Sequence, residues 1–185
     1  MKTAVVLAAL LTLPVFASAK GPNTQIDVRS NGVLLVAITA PQVLERLTFW
    51  SGPGTSVGPS TGPREMSTSP ADLADWLGGA VAPPKGLAIY DVTFYCKRRG
   101  PSSEGVPCYE VRYAKTSGPE PGFILIPGED LPAYRSNVST IYRGVEGSWF
   151  RASAIWEEVI RPAIESASHR SAALAGRSAA TRPAP

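Results

Sequence analysis

The chain is poor in the groups most enzymes rely on. Among 185 residues there is one histidine, His169, and there are two cysteines, Cys96 and Cys108. A lone imidazole near the C-terminus excludes multi-histidine metal sites and the Ser-His and Cys-His nucleophile pairs. Charge is sparse too, at 18% Asp, Glu, Lys and Arg, and it is not gathered into a basic face. Setting aside Lys2 and the tail residues Arg170, Arg177 and Arg182 leaves 14 basic and 15 acidic side chains. The high isoelectric point therefore belongs to the two ends, and nucleic-acid binding is excluded. No cofactor is expected.

The one long apolar run is at the N-terminus. Lys2, the stretch Ala4 to Leu13, and Ala17-Ser18-Ala19 match the charged, apolar and small-residue regions of a secretory signal, residues 1–19. That run is shorter than the roughly 20 residues needed to cross a bilayer, and no later segment reads as a transmembrane span. The mature chain is expected to be periplasmic or secreted and soluble, with an envelope or extracellular partner of unknown identity.

The remainder divides into a polar lead-in, residues 20–31, a single domain, residues 32–167, and an Ala/Ser/Arg/Pro tail, residues 168–185, whose composition predicts disorder. Val33 to Ile38 reads as a strand buried on both faces, Pro41 as the start of a helical turn, and Leu47 to Trp50 as a further strand. Residues 51–69 read as a Gly/Pro-rich loop. Ser69-Pro70-Ala71-Asp72 predicts a two-turn helix ended by Gly78-Gly79. Leu87 to Cys96, Cys108 to Lys115 and Phe123 to Ile126 predict an antiparallel meander, with Thr140-Ile141-Tyr142 as a further strand. Asn137-Val138-Ser139 is a sequon expected on the surface. From Ser153 the apolar period becomes helical, with Ile155, Trp156, Val159, Ile160, Ala163, Ile164 and Ala167 on one face. Pro162 is expected to bend that helix. The fold class is α+β: an antiparallel β-meander sheet carrying one packed C-terminal amphipathic helix.

Two cysteines in an exported chain predict a Cys96–Cys108 disulfide at the mouth of the meander's first hairpin. The pairing sets a problem of register. With Cys96 opposite Cys108 in a regular ladder, Phe94 meets Glu110, and the apolar set Tyr109, Val111 and Tyr113 turns to the other face. One extra residue near the cysteines, or a sheet covered on both sides, removes the conflict.

Chemistry is harder to find. Gly58-Pro59-Ser60-Thr61-Gly62 matches a nucleophile elbow in letters but lies in a loop without a histidine. Gly52-Pro53-Gly54 begins like a dinucleotide fingerprint and goes no further. Glu110, Glu129, Asp130 and Glu157 are the possible members of a glycosidase carboxylate pair. Trp76 and Trp149, beside Gly-rich turns, and the basic triplet Lys97, Arg98 and Arg99 form a possible binding surface. Trp156 belongs to the core. The leading expectation is a non-enzymatic binding or envelope-associated module. The alternative is a carboxylate-based hydrolase acting on glycans, and a third possibility is an inhibitor or toxin-like factor presenting the Lys97 to Pro107 loop.

Pro83-Pro84-Lys85-Gly86-Leu87, Ile126-Pro127-Gly128 and the run from Arg143 to Ala152 together resemble a group of small exported bacterial proteins of unknown function. The resemblance covers most of residues 34 to 165. It implies a bacterial, exported origin and no catalytic residue.

Overall fold

The computed structural model describes residues 23–55, 72–97 and 105–180. The signal, the Gly58 to Gly62 motif, Arg98, Arg99 and the last five residues of the tail lie outside them. Six strands form one antiparallel sheet: β1 (Asn23–Ser30), β2 (Val33–Ile38), β3 (Ala88–Lys97), β4 (Gly105–Lys115), β5 (Phe123–Leu125) and β6 (Trp149–Arg151), in the spatial order β2-β1-β3-β4-β5-β6. Among the described residues three helices accompany it: α1 (Pro41–Leu44), α2 (Ala133–Thr140) and α3 (Ala154–Ala180). The α+β class, the meander through β3, β4 and β5, and the C-terminal helix packed on the sheet are as the sequence predicts.

The polar lead-in is not a lead-in. Its residues 23–30 form β1, an inner strand of the sheet between β2 and β3. Gln25, Asp27 and Arg29 alternate with the fully buried Ile26 and Val28, so a strand with one apolar face resembles a polar stretch by composition alone. Asn31 and Gly32 close the β1–β2 hairpin with positive φ at both positions, 49° and 78°. That is the conformation an Asn-Gly pair favours, because two left-handed residues match the twist of the flanking strands. β2 is consequently an edge strand, half exposed, with Val33 and Leu34 open to solvent, and not a strand buried on both faces.

The register problem is solved by a bulge. Phe94 pairs with Tyr109 and Tyr95 with Pro107, so Cys108 is the extra residue. Val92 then faces Val111, Tyr90 faces Tyr113, and the apolar residues of both strands share one face. The Cys96–Cys108 disulfide closes across this bulge with Cα atoms 5.9 Å apart, an ordinary separation for a bridge.

The core lies between that face and α3. Ser153 caps the helix: its Oγ accepts the Trp156 N–H and donates to the Asp72 carbonyl. Trp156, Ile160 and Ile164 are buried, and the Trp156 ring meets Phe94 and Tyr113. The helix continues past Ser168 to Ala180, beyond the boundary that composition suggests for disorder. Ala is the strongest helix former, and an established helix extends through an Ala-rich run without a new nucleus.

Three local expectations give way to tertiary pairing. Residues 72–78 are not helical: Asp72 bridges to Thr48 and Ala74 to Ala152, and Asp75 N–H donates to Arg151 O, which uses the backbone that a helix would need. Leu47 to Trp50 makes only the Thr48 bridge and is not a ladder strand. Thr140 ends α2, Ile141 caps it, and the strand that follows is β6. No helix among the described residues is long and apolar enough to cross a membrane.

Candidate functional site

The face of the sheet opposite α3 carries the charged groups. Strand register sets them in two rows across β1, β3 and β4: Asp27, Thr93 and Glu110 in one, Arg29, Asp91 and Arg112 in the next. Laterally adjacent residues sit about 5 Å apart and same-face neighbours along a strand about 7 Å apart. Two charge signs therefore alternate over a compact patch.

Most of these charges are held within the patch. Asp27 is buried, and both its carboxylate oxygens are engaged: Oδ1 accepts from Gln25 Nε2 at 2.6 Å, and Oδ2 from Arg29 Nη2 at 3.1 Å and Tyr95 Oη at 3.2 Å. The Arg29 guanidinium is raised above its ordinary value, first by its bond to Asp27. Arg112 Nε donates to Asp91 at 3.0 Å. Glu110 is the exception, since among the described residues its carboxylate accepts only a long 3.3 Å bond from the Thr93 hydroxyl. Its carboxyl is pushed above the usual range, chiefly by burial and then by the Asp91 charge, against the opposing pull of Thr93, Arg112 and Arg29.

The strand edge beside Glu110 is finished by a side chain. β5 pairs only with Arg112 to Ala114, which leaves the backbone of Glu110 beyond its reach. Asn137 on α2 fills the place: its Oδ1 accepts the Glu110 N–H at 2.9 Å and its Nδ2 donates to the Glu110 carbonyl at 2.6 Å. The amide thus pairs as a β-neighbour would. Asn137 is 1% exposed, so the sequon's acceptor side chain is not on the surface, although Ser139 is.

The expected site residues do not converge. Trp76 is buried, edge-on to Phe150 with the Arg143 guanidinium 5.1 Å from its ring. Its burial follows from Gly52, whose positive φ and missing Cβ let the 51–54 turn press against the indole. Arg143 completes that unit by donating to Tyr109 Oη and to the carbonyls of Phe49, Ser51 and Pro53, so Gly52-Pro53-Gly54 wraps a guanidinium. Trp149 alternates with Phe150 on β6 and lies half-buried toward the other face. Lys97 is exposed at the far end of the hairpin, roughly 20 Å along β4 from the row that ends at Trp149.

The four carboxylates considered for a glycosidase are also apart. Glu157 lies on the α3 side of the sheet, where it accepts from Tyr113 Oη at 2.9 Å and Gly122 N at 2.8 Å and pairs with Arg161. Burial and that neighbouring carboxylate push the Tyr113 hydroxyl far up. Arg161 in turn donates to the carbonyls of Thr116, Gly118 and Glu120, which makes this a latch on the β4–β5 loop. The sheet separates it from Glu110. Glu129 and Asp130 are exposed in the loop before α2.

Comparison with family models, with curated proteins and with solved structures finds no match. Sequence reasoning missed Asp27 and Asp91, although the alternations Gln25-Ile26-Asp27-Val28-Arg29 and Asp91-Val92-Thr93-Phe94-Tyr95 mark both as residues of one face. Among the described residues no group of three or more His, Cys, Asp or Glu is placed to hold a metal ion.

Proposed function

We propose that the protein is an exported, non-enzymatic binding module, periplasmic or secreted, that presents the charged face of its sheet to an envelope or extracellular partner. The observation that carries the reading is the patch itself. It sets alternating charges on rigid strands, and its rim is open, with the side chains of Arg29, Arg112 and Asp91 about one-third exposed. Its acids are engaged in a way that suits recognition more than turnover. Asp27 is buried and already accepts three hydrogen bonds, from Gln25, Arg29 and Tyr95, and Asp91 is held by Arg112. The disulfide supports an oxidising compartment, as do the leader and the resemblance to small exported bacterial proteins.

The carboxylate hydrolase stays as a second reading on one observation, the raised Glu110 carboxyl, because a general acid needs such a shift. A retaining or inverting enzyme requires a second acid across the bond, and the acid in the same row, Asp27, is the one most fully occupied.

The test is crosslinking capture from the producing cells' envelope fraction with wild type and an Arg29→Ala/Arg112→Ala variant. The Arg112–Asp91 pair is half-exposed and contributes about 0–1 kcal/mol, whereas Arg29 is a partner of the buried Asp27, which keeps its bonds from Gln25 and Tyr95; circular dichroism therefore establishes that the variant is folded before capture. Loss of the wild-type crosslink in the folded variant is the expected result; an unchanged crosslink rejects the patch. Release of reducing ends from polysaccharide by wild type, abolished in Glu110→Gln, replaces the binding reading with the hydrolase.

A further inference from the structure

The sheet has two outer edges, and the chain finishes only one of them. At β6, Val81 bridges to Trp149 and Ala74 bridges to Ala152 just beyond it. Even the short gap beside Glu110 on β4 is closed, by Asn137. β2 ends the sheet on the other side, and among the described residues no bridge reaches its outer edge. Its sequence, Val-Leu-Leu-Val-Ala-Ile, holds none of the charges or prolines that ordinarily blunt a strand edge. Val33 and Leu34 are 65% and 46% exposed.

The turn fixes which backbone groups of β2 are free. A two-residue Asn31-Gly32 turn makes Ser30 and Val33 a hydrogen-bonded pair. Bonded and non-bonded pairs alternate along β1 from there. Arg29–Leu34 and Asp27–Ala37 are therefore non-bonded pairs, and the N–H and C=O of Leu34 and Ala37 point away from the sheet. A bulge often blunts an edge, but the one at Leu35 leaves both of these residues outward. It also keeps their side chains on the charged face, beside Arg29 and Asp27.

These two residues are complementary under a twofold axis. With the axis between Leu35 and Val36, Leu34 lies opposite Ala37 of a second copy, and Ala37 opposite its Leu34. Each free residue then exchanges both backbone hydrogen bonds with its opposite, and the whole of β2 overlaps. Val33 meets Ile38 of the second copy on the α3 side. The Asp27, Thr93 and Glu110 row of one copy runs on into the Arg29, Asp91 and Arg112 row of the other. Axes through Leu34 or through Ala37 satisfy only one of the free residues and set like rows in line. Charge complementarity and bond count thus select the same register.

We propose that the protein pairs with a second copy of itself, β2 against β2 antiparallel, joining two six-stranded sheets into one. Both α3 helices then lie on one side and both charged faces on the other. The pairing uses the edge of the sheet and not its face, so neither this test nor the capture experiment decides the other.

The test is sedimentation velocity on the protein expressed with its own leader, from about 5 to 500 μM. A single strand pair is a small interface, so a dimer with Kd on the order of 100 μM is expected. Ala37→Pro removes an outward N–H that the monomer does not use, which an edge strand tolerates, and should raise Kd about 10-fold or more. Leu34→Glu is the second variant: the side chain is exposed and in the dimer meets the acidic row of the other copy, so it should weaken association as strongly. Circular dichroism checks that both are folded, and Leu34→Glu alone decides if the proline variant is not. Leu34→p-benzoylphenylalanine should crosslink to residues 36–38 of the second copy. A wild type monomeric throughout, a dimer unchanged in Leu34→Glu, or a crosslink that maps outside β2 overturns the proposal. Capture of a different protein by that probe, with no dimer, assigns the edge to a foreign strand and overturns it too.

Discussion

Truncating Asn137 is the sharpest perturbation of this fold. Asn137→Ala removes the two bonds, at 2.9 and 2.6 Å, that finish the edge of β4 at Glu110. Each is worth about 1 kcal/mol net, and stranding a buried N–H or C=O adds about 1–3 kcal/mol, less where water can follow. The expected loss is therefore about 2–5 kcal/mol. For a domain of this size the melting temperature falls by about 2–4 °C per kcal/mol, a drop of roughly 4–20 °C by circular dichroism. Asn137→Asp is the informative companion. It keeps an acceptor for the Glu110 N–H but sets a carboxylate against the Glu110 carbonyl, so its defect is expected to be worst at neutral pH. Protonation restores a donor, and stability should recover as the pH falls. A loss below about 1 kcal/mol in Asn137→Ala, or an Asp variant indifferent to pH, refutes the claim that this amide stands in for a strand.

Other predictions follow from the same structure. Reducing the disulfide, or Cys96→Ser/Cys108→Ser, releases a loop closed over a separation of 12 residues, worth about 3 kcal/mol in the chain-entropy model; a melting temperature unchanged by reductant shows that the bridge does not brace the fold. Glu110 has a folded pKa raised above 4.5, so the native state binds its proton more tightly than the unfolded chain. Wild type should lose stability as pH rises from 4.5 through the raised value, and Glu110→Gln should lack that loss. Parallel pH–stability curves would contradict it. Arg161→Met frees the β4–β5 loop from the α3 latch and should admit proteolytic cleavage within residues 116–120 while the sheet stays folded; equal resistance to that of wild type rejects the latch.

Much of the architecture was legible because the relevant signals are local and periodic. The β3–β4 hairpin, the apolar stripe of α3 and the disulfide follow from alternation, helical spacing and cysteine count. Even the bulge at Cys108 follows from requiring Tyr109, Val111 and Tyr113 to share a face with Val92 and Phe94. What stayed hidden depends on partners distant in sequence. Residues 72–75 have the start signals of a helix, yet bridges to Thr48 and Ala152 hold them extended. Asn137 looks like a surface sequon because its partner, the backbone of Glu110, is 27 residues away. Trp76 looks exposed beside two glycines because the turn and guanidinium that cover it come from residues 51–54 and Arg143. The charged patch lay within reach: Asn31-Gly32 between two alternating runs is a hairpin signal, and accepting it makes residues 23–30 a strand with a polar face.

The most direct measurement on the central claim is the location and thiol state of the native molecule. Producing cells are fractionated after thiols are blocked before lysis, and the protein is read by mass spectrometry. The account predicts a chain beginning at Lys20, found outside the cytoplasm, with Cys96 and Cys108 inaccessible to the blocking reagent until reductant is added. A chain still carrying residues 1–19, in the cytoplasm, with both thiols blocked, contradicts it.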